Sequence, residues 1–326
     1  MTRGGTNSPQ SRIAVFAKGP WLHALSCTRS PVLVSGVCLL VVLALATPGF
    51  TSAPSLLSLI DAASLVGCVA VGMSFITLSG NVMSFALGAT TGASAIACAA
   101  LSGFGLAAAV LGAAAVAIVY NAIQGFLIGF FRANSIIVSI AALALMGGFA
   151  EFITGSQTIY ADTGTLTILR SKVLGIPLSG LIFLASTIMG QAAQRHTQFG
   201  QKVILLGSNP RAAAAAGVRI WLVVTGTYAV AGFFASLAGI LIAARYGAGT
   251  MEYGAGYDYS AIASVLVGGT AIAGGEGSVA RSAIGVLVIS IIAVILLLWG
   301  FETQFQYFIT GLIVLGAVLL QGKLRR

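Results

Sequence analysis

Long, continuous runs of apolar residues dominate the chain, and short polar segments separate them. The runs are about 17 to 27 residues long, the length at which an α-helix crosses a bilayer, and they lack the period-2 alternation of membrane β-strands. The predicted helices, with ends uncertain by about four residues, lie near 31–47, 55–79, 82–102, 104–130, 135–154, 175–193, 220–243, 259–280, 282–299 and 304–320. The pattern predicts an all-α polytopic integral membrane protein with about ten transmembrane helices.

Composition agrees with this prediction. Of the 326 residues, 58% are hydrophobic and only 7% are charged, and the mean hydropathy is +1.03. A soluble domain carries about 25% charged residues, so a soluble globular protein is excluded. The net charge of +9 comes from basic residues scattered along the chain, which form no stripe of the kind that binds nucleic acid.

The basic residues predict the orientation, because Lys and Arg are retained on the cytoplasmic side. With the N-terminus inside, thirteen basic residues fall on inner segments, and only Arg170, Lys172 and Arg245 fall outside. Both termini are therefore expected in the cytoplasm. The run at 31–47 also has the length of a signal peptide, but the next apolar run follows at once, which favours a helix. The expected domains are a basic cytoplasmic tail at 1–30, a permease domain at 31–320 and a short cytoplasmic tail at 321–326.

Chemistry-bearing residues are scarce in the apolar runs. Proton- and sodium-coupled carriers need buried carboxylates, and voltage sensors need arginine arrays. Asp61 and Glu151 lie within about one to two turns of the outer ends of their predicted helices, where water reaches them, so neither feature is expected at the hydrocarbon centre. The sequence also has no phosphate-binding G-x-x-x-x-G-K-[ST] loop, no cluster of catalytic residues and no metal-ligand spacing around His23, His196 or the cysteines. An uncharged cargo, an external energy source and no cofactor in this chain are expected.

Two glycine-rich stretches, at 77–93 and 265–285, interrupt apolar runs in the two halves of the chain. Broken helices are tolerated at membrane depth only where they line a cavity or are buried in protein. The candidate translocation-pathway residues are Ser79, Asn81, Ser84, Gly268, Gly269, Thr270, Gly274 and Gly275. The shared Gly-x7-Gly spacing, Gly80 to Gly88 and Gly277 to Gly285, favours two pseudo-repeated halves.

A long polar loop at 194–219 is predicted on the cytoplasmic side. Ser208 or Asn209 can cap a helix there, Pro210 suits its first position and Gly217 can end it. The alanines between them offer too little apolar surface to hold this helix on lipid, so we interpret it as a helix that inserts into a partner's groove. A charge at Ala213 is expected to uncouple transport and to leave the membrane fold intact.

Several segments resemble the ribose-type permeases of ABC importers, which are grouped with branched-chain amino-acid permeases. The segment 207-GSNPRAAAAAGV-218 resembles their G-x-N-x-x-A-A-x-x-S-G-I coupling motif. The residues that carry this match are Gly207, Asn209, Ala212, Ala213 and Gly217. The segment 254-GAGYDYSAIASVLVGGTAIAGGEGSVARSAIGVL-287 resembles the family's G-x-G-Y-E-L-x-A-I-A-A-V-V-I-G-G-T-S-L-x-G-G-x-G-S signature, and the stretch 125–150 matches less closely. The resemblance runs from about residue 55 to 320.

This resemblance implies a permease subunit of the bacterial inner membrane that works as a homo- or heterodimer. The implied partners are two cytoplasmic ATPase subunits, which carry the ATP and Mg, and an external solute-binding protein. Three positions depart from the family: Asn81 or Met83 stands where an acid is common, Asp258 replaces Glu and Ala216 replaces Ser.

The expected cargo is a monosaccharide or polyol, with a branched-chain amino acid or a nucleoside as the alternative. A stand-alone carrier or channel for neutral solutes is the rival from another class. An integral-membrane enzyme would need catalytic residues that the sequence lacks.

The outer loop at 244–260 is rich in tyrosine. Tyrosine combines apolar area with a polar tip, and the candidate binding-protein contacts are Glu252, Tyr253, Tyr257 and Asp258. An aromatic belt at the membrane surface explains the tyrosines equally well.

Overall fold

The computed structural model describes residues 47–173 and 175–324, so the helix predicted at 31–47 and the N-terminal tail at 1–30 lie outside the described residues, apart from Thr47. The α-helices are α1 (Ala53–Leu78), α2 (Leu87–Leu101), α3 (Leu106–Phe131), α4 (Ser135–Thr154), α5 (Thr163–Leu166), α6 (Leu178–His196), α7 (Gln198–Ser208), α8 (Pro210–Ala215), α9 (Ile220–Tyr246), α10 (Tyr257–Val267), α11 (Val279–Leu298) and α12 (Thr303–Leu324). The prediction of an all-α fold is confirmed.

Strands within the described residues form only two short antiparallel pairs. The pair β1 (Ile159–Tyr160) and β4 (Ala248–Gly249) joins the connection after α4 to the end of α9. The pair β2 (Lys172–Val173) and β3 (Ile176–Pro177) turns the chain into α6. These pairs fold the connection between α4 and α6 over the C-terminal end of α9.

Six helical segments of the described residues are long and apolar enough to cross a membrane: Ala53–Leu78, Leu87–Phe104, Leu106–Phe131, Ser135–Thr154, Ile220–Tyr246 and Val279–Leu298. Local sequence signals set several of their ends. Asn134 caps α4 by accepting a hydrogen bond from Ile136 N at 2.9 Å, and Gly155 ends it at a φ of +61°. The predicted total of about ten crossings stays a prediction.

Helix α9 lies at the centre of the molecule and packs against α1, α2 and α3. Small residues let these backbones approach closely: a Cβ on Gly72 of α1 would lie 2.9 Å from the Cα of Ala231. The outer helices α3 and α4 expose large apolar side chains, such as Leu111 and Phe152, which hydrocarbon would solvate.

Two predicted helices are shorter than expected. The helix predicted at 82–102 begins only at Leu87, and the helix predicted at 259–280 ends at Val267, so the extended helical prediction is wrong there. Glycines at positive φ end the regular structure, with φ values of +80° at Gly269 and +86° at Gly274. With 11 residues, α10 is about 16 Å long and too short to cross a bilayer.

Candidate functional site

The predicted short helix between the two halves is present as α8. Asn209 caps it by accepting a hydrogen bond from Ala212 N at 3.0 Å, and Pro210 occupies its first turn. The chain leaves the helix at Gly217, whose φ is +76°. Asn209 thus satisfies a backbone donor that would otherwise lack a partner, which lets six residues hold a helical form. The prediction of this helix and of both its caps is confirmed.

Ala213 faces the protein rather than a partner. Its side chain is fully buried in the main apolar core, whereas Ala212 and the alanines after Ala213 are exposed. An aspartate at this position would be buried without a counter-charge, which is costly. The burial of Ala213 thus argues against the expectation that a charge there leaves the fold intact, and the exposed face of α8 begins with Ala212.

Gly207, at the end of α7, lies where three segments of the chain meet. One segment is the end of α7 itself. Another is the end of α1 with the residues that follow it, and the last consists of the residues that precede α11. The backbone N–H of Gly275 donates a hydrogen bond to Leu78 O at 3.0 Å, which joins these two segments directly. A Cβ on Gly207 would lie 2.5 Å from Gly275 N, and one on Gly274 would lie 2.6 Å from Gly80 N. We call Leu78, Gly80, Gly207, Gly274 and Gly275 the glycine junction.

The glycine junction leaves no space for side chains where its backbones touch. Gly80, Gly274 and Gly275 also have φ values of +83°, +86° and +75°, which L-residues adopt only with strain. Gly207 was predicted as a coupling residue, and it lies buried behind α8 rather than on its exposed face. Gly274 and Gly275, which are predicted to line the pathway, pack against the end of α7.

Three other candidate pathway residues lie just after α1. Ser79 is buried and donates a hydrogen bond to Ile76 O at 2.7 Å, and Asn81 Nδ2 donates to Ser79 Oγ at 2.9 Å. Ser84 is buried and accepts from Gln124 Nε2 at 3.3 Å. Only Asn81 of these three is partly exposed. The hydrogen bonds of the two serines therefore stabilise the non-helical segment between α1 and α2.

The remaining candidates follow α10. Thr270 is fully buried, with its Oγ1 3.3 Å from Ser282 Oγ. Gly268 packs on α11, because a Cβ there would lie 2.5 Å from Arg281 O, whereas Gly269 has open space around it. The structure thus brings the predicted pathway residues to the same end of the molecule as α8, and Gly269 and Asn81 keep access to space outside the protein.

Sequence reasoning missed two glutamines near the end of α6. Gln194 is buried, with its Oε1 accepting from Val279 N at 2.9 Å and its Nε2 donating to Gly277 O at 3.0 Å. Gln191 Oε1 accepts from Ala280 N at 2.8 Å. These side chains cap the start of α11, the segment that follows Gly275. The signal in the sequence was two amides three residues apart in an apolar helix.

The predicted docking loop lies at the opposite end of α9. Glu252 is exposed in the 3₁₀ turn Glu252–Gly254, while Tyr253 stacks on Tyr246 with ring centroids 4.6 Å apart. Tyr257 packs against the main apolar core. Asp258 is 5% exposed and its Oδ1 accepts from Tyr259 N at 3.0 Å. Burial hides the carboxyl group of Asp258 and raises its pKa, which argues against its role as a binding-protein contact.

Comparison with known proteins finds relatives that span most of the chain. The ribose import permease of Escherichia coli K12 is 27% identical over 302 residues, which cover 89% of this chain and 92% of that permease. The autoinducer 2 import system permease of Salmonella typhi is 28% identical over 300 residues, covering 91% and 86%.

A third relative matches over a shorter stretch. A probable ABC transporter permease of Escherichia coli K12 is 34% identical over 190 residues, covering 58% of this chain and 57% of that protein. No solved structure matches the chain significantly.

The family comparison covers the whole region that carries the site. The family described as the permease component of branched-chain amino acid transport systems matches residues 55–318, which include the glycine junction, α8 and the docking loop. Its members are transport subunits of the inner membrane and not enzymes. The chain belongs to this family of ABC transporter permeases.

Proposed function

We propose that this chain is the membrane-spanning permease subunit of an ATP-driven importer of a small neutral solute. Two ATPase subunits act on it from the cytoplasm and carry the ATP and Mg, and a binding protein delivers the solute outside. One observation supports this above all: the exposed alanine face of α8 is joined through Gly207 to both broken segments of the glycine junction.

The contacts suggest how movement is transmitted. A push on α8 reaches α7 through Asn209, which caps one helix and ends the other. Because backbone packs on backbone at the glycine junction, no flexible side chain can absorb the displacement. The segments after α1 and after α10 would then shift together, and the two halves would open alternately to the two sides.

The proposed arrangement in the membrane follows from the charges. We place about ten helices, in two pseudo-repeated halves, with both termini and α8 in the cytoplasm and the docking loop outside. The loop at 194–219 then faces the ATPase subunits, and Glu252 and Tyr253 face the binding protein. A second permease chain, identical or not, completes the pathway.

A monosaccharide or polyol is the proposed cargo. The relatives that align along most of this chain include permeases named for ribose. Asn81, the partly exposed side chain among the candidate pathway residues beside α1, is neutral and can both donate to and accept from a hydroxyl-bearing solute. The family's name keeps a branched-chain amino acid as the alternative cargo.

The coupling role is tested by Ala212→Asp. This residue is exposed and lies in the first turn of α8, where an acid is favourable for the helix itself. We expect the tagged variant to reach the membrane in normal amounts, to lose the ATPase subunit on purification in mild detergent, and to lose uptake.

Gln201→Asp, which places the same charge on the exposed face of α7, is the control. It should keep both the bound ATPase subunit and uptake. An Ala212→Asp protein that retains ATPase and uptake would contradict the assignment of α8. Uptake in liposomes without ATP would favour a stand-alone carrier. Identifying the solute that the co-purified binding protein holds then decides between a sugar and an amino acid as the cargo.

A further inference from the structure

Two aromatic rings meet where the non-helical segment after α1 lies beside the start of α10. Phe85 belongs to that segment, and Tyr259 lies in the first turn of α10. Their ring centroids are 6.2 Å apart, and the ring planes are tilted by 56°. Tyr259 is 58% exposed and Phe85 is partly exposed, so both rings offer surface to a ligand. We call these two side chains the ring pair.

Packing along α2 places the ring pair between the two ends of the molecule. A Cβ on Gly249 would lie 2.5 Å from Ala95 O, and a Cβ on Gly88 would lie 2.7 Å from Gly254 O. The docking loop therefore runs down α2 from position 95 to position 88, and α10 begins beside the start of α2. From there α2, with 15 residues, extends about 22 Å to its far end. In the other direction, Tyr259 lies eight residues, or about 12 Å, from the end of α10.

The backbone next to Phe85 is unsuited to contact with lipid. Residues 81–84 have no regular secondary structure. Among the described residues, the N–H groups of Asn81, Val82 and Met83 have no hydrogen-bond acceptor. At membrane depth such backbone is tolerated only where it lines a water-filled cavity or is buried in protein. Val82 is 37% exposed, so the described chain does not bury this segment, and water or a polar solute can supply the acceptors.

The chemistry around the ring pair favours a neutral, hydroxyl-bearing solute. The faces of aromatic rings carry partial negative charge, which attracts the C–H groups of a sugar ring or a polyol chain. Asn81 and the Tyr259 hydroxyl can each donate and accept a hydrogen bond. Asp258 is the only charged side chain in residues 79–86 and 257–260, and it is buried. The carboxylate of an amino acid would therefore find no cation beside the ring pair, and burying it there would be costly.

We propose that a monosaccharide or polyol binds to the ring pair on its way through the permease. This inference rests on the proposed function and names the residues that recognise the cargo. One face of the solute packs on Phe85 and Tyr259, and its hydroxyls bind Asn81 and the free N–H groups of residues 81–83. A solute released by the binding protein is thereby held inside the permease and does not return before the outer side closes. Movement of the segments that lead from the ring pair to the glycine junction then separates the rings and releases the solute.

Transport by the complete complex in proteoliposomes tests the role of the rings. Radiolabelled D-ribose, D-glucose, ribitol and L-leucine are supplied one at a time with the binding protein and ATP. We expect Phe85→Leu and Tyr259→Leu to lower sugar or polyol uptake about three- to tenfold while ATP hydrolysis continues, so more ATP is used per molecule taken up. Tyr259→Phe keeps the ring and should retain most of the uptake. Phe149→Leu removes an exposed ring from α4 and should change neither rate.

The outcomes separate this inference from the proposed function. Unchanged uptake and unchanged ATP use in both leucine variants would overturn the inference and leave the importer intact. Parallel loss of uptake and ATP hydrolysis would show that the rings support the fold rather than the solute, which also overturns it. A parent complex that takes up L-leucine, or none of the other three solutes, would remove the proposed cargo and the inference with it.

Thiol accessibility separates an aqueous pathway from a surface covered by lipid or by a second chain. In a chain whose four native cysteines are replaced, Tyr259→Cys should react with a membrane-impermeant methanethiosulfonate supplied on both sides, because the reactive thiolate forms where water reaches. Leu145→Cys, exposed in the middle of α4, should not react. An unreactive thiol at 259 would place the ring pair against lipid, and disulfide cross-linking of two permease chains through 259 would place it at their contact. Either result would overturn the inference.

Discussion

A methyl group on Gly207 would meet the backbones of Leu78 and Gly275 at once. Backbone atoms cannot rotate away as a side chain can, so Gly207→Ala must separate the segments of the glycine junction. We expect a loss of about 1–3 kcal/mol of stability and a loss of transport, with membrane insertion retained. Thermal unfolding in detergent and uptake in cells measure the two effects.

The matched control is Gly148→Ala in α4, where a Cβ has no neighbour within 4 Å. This variant should unfold at the same temperature as the parent or slightly above it, because alanine favours a helix. Full transport by Gly207→Ala would show that the glycine junction does not carry the movement of α8.

Charge at the docking loop is divided between one exposed and one buried acid. Glu252→Lys should weaken binding of the solute-binding protein by about three- to tenfold, because reversal of a peripheral charge alters association mainly through its rate and salt dependence. Asp258→Asn, at the buried acid, should leave that affinity unchanged. Surface plasmon resonance at two salt concentrations checks both. Equal effects of the two variants would mean that the loop opens on binding.

Residue-scale prediction from the sequence succeeds where the chemistry is local. Asn209 and Gly217 were identified because a helix cap depends on neighbouring backbone groups alone. The burial of Ala213 and Asp258 depends on segments distant in sequence, and nothing in an alanine run distinguishes its buried member from the exposed ones. Such positions require tertiary contacts to be known.

At the scale of elements, α6 and α11 are fastened by side chains rather than by apolar packing alone. Gln194→Leu would remove the partners of Val279 N and Gly277 O, and each buried group left without a partner costs about 1–3 kcal/mol. We expect a lower unfolding temperature and faster hydrogen exchange at the start of α11, measured by mass spectrometry of the detergent-solubilised protein.

Gln198→Leu at the exposed start of α7 makes the same chemical change without burial and should alter neither quantity. If hydrogen exchange at 279–282 is the same in both variants, the glutamine contacts do not hold α11.

Element boundaries were predicted best where apolar runs end in caps, as for α4. The helix predicted at 259–280 was too long because hydropathy continues through residues 268–273, where glycines end the helix. Hydropathy reports burial and not backbone conformation, so it misses a break that is itself buried.

For the whole molecule, aromatic rings mark the two ends. Phe126 and Phe130 meet Trp221 edge to face, with centroids 6.0 and 6.5 Å apart, at the end that carries α8. Trp299 and Phe301 lie 6.5 Å apart at the other end. Aromatic residues gather at both membrane surfaces, so these clusters place the boundaries without assigning a side.

Cysteine accessibility assigns the sides. In a chain whose four native cysteines are replaced, Ala215→Cys on α8 and Glu252→Cys on the docking loop are both exposed. A membrane-impermeant maleimide should label position 252 in intact spheroplasts and position 215 only in inverted vesicles, because thirteen basic residues against three hold the α8 side in the cytoplasm. Ala89→Cys, buried in α2, should be labelled from neither side. Labelling of 215 in spheroplasts would reverse the orientation and place α8 beyond the reach of any ATPase.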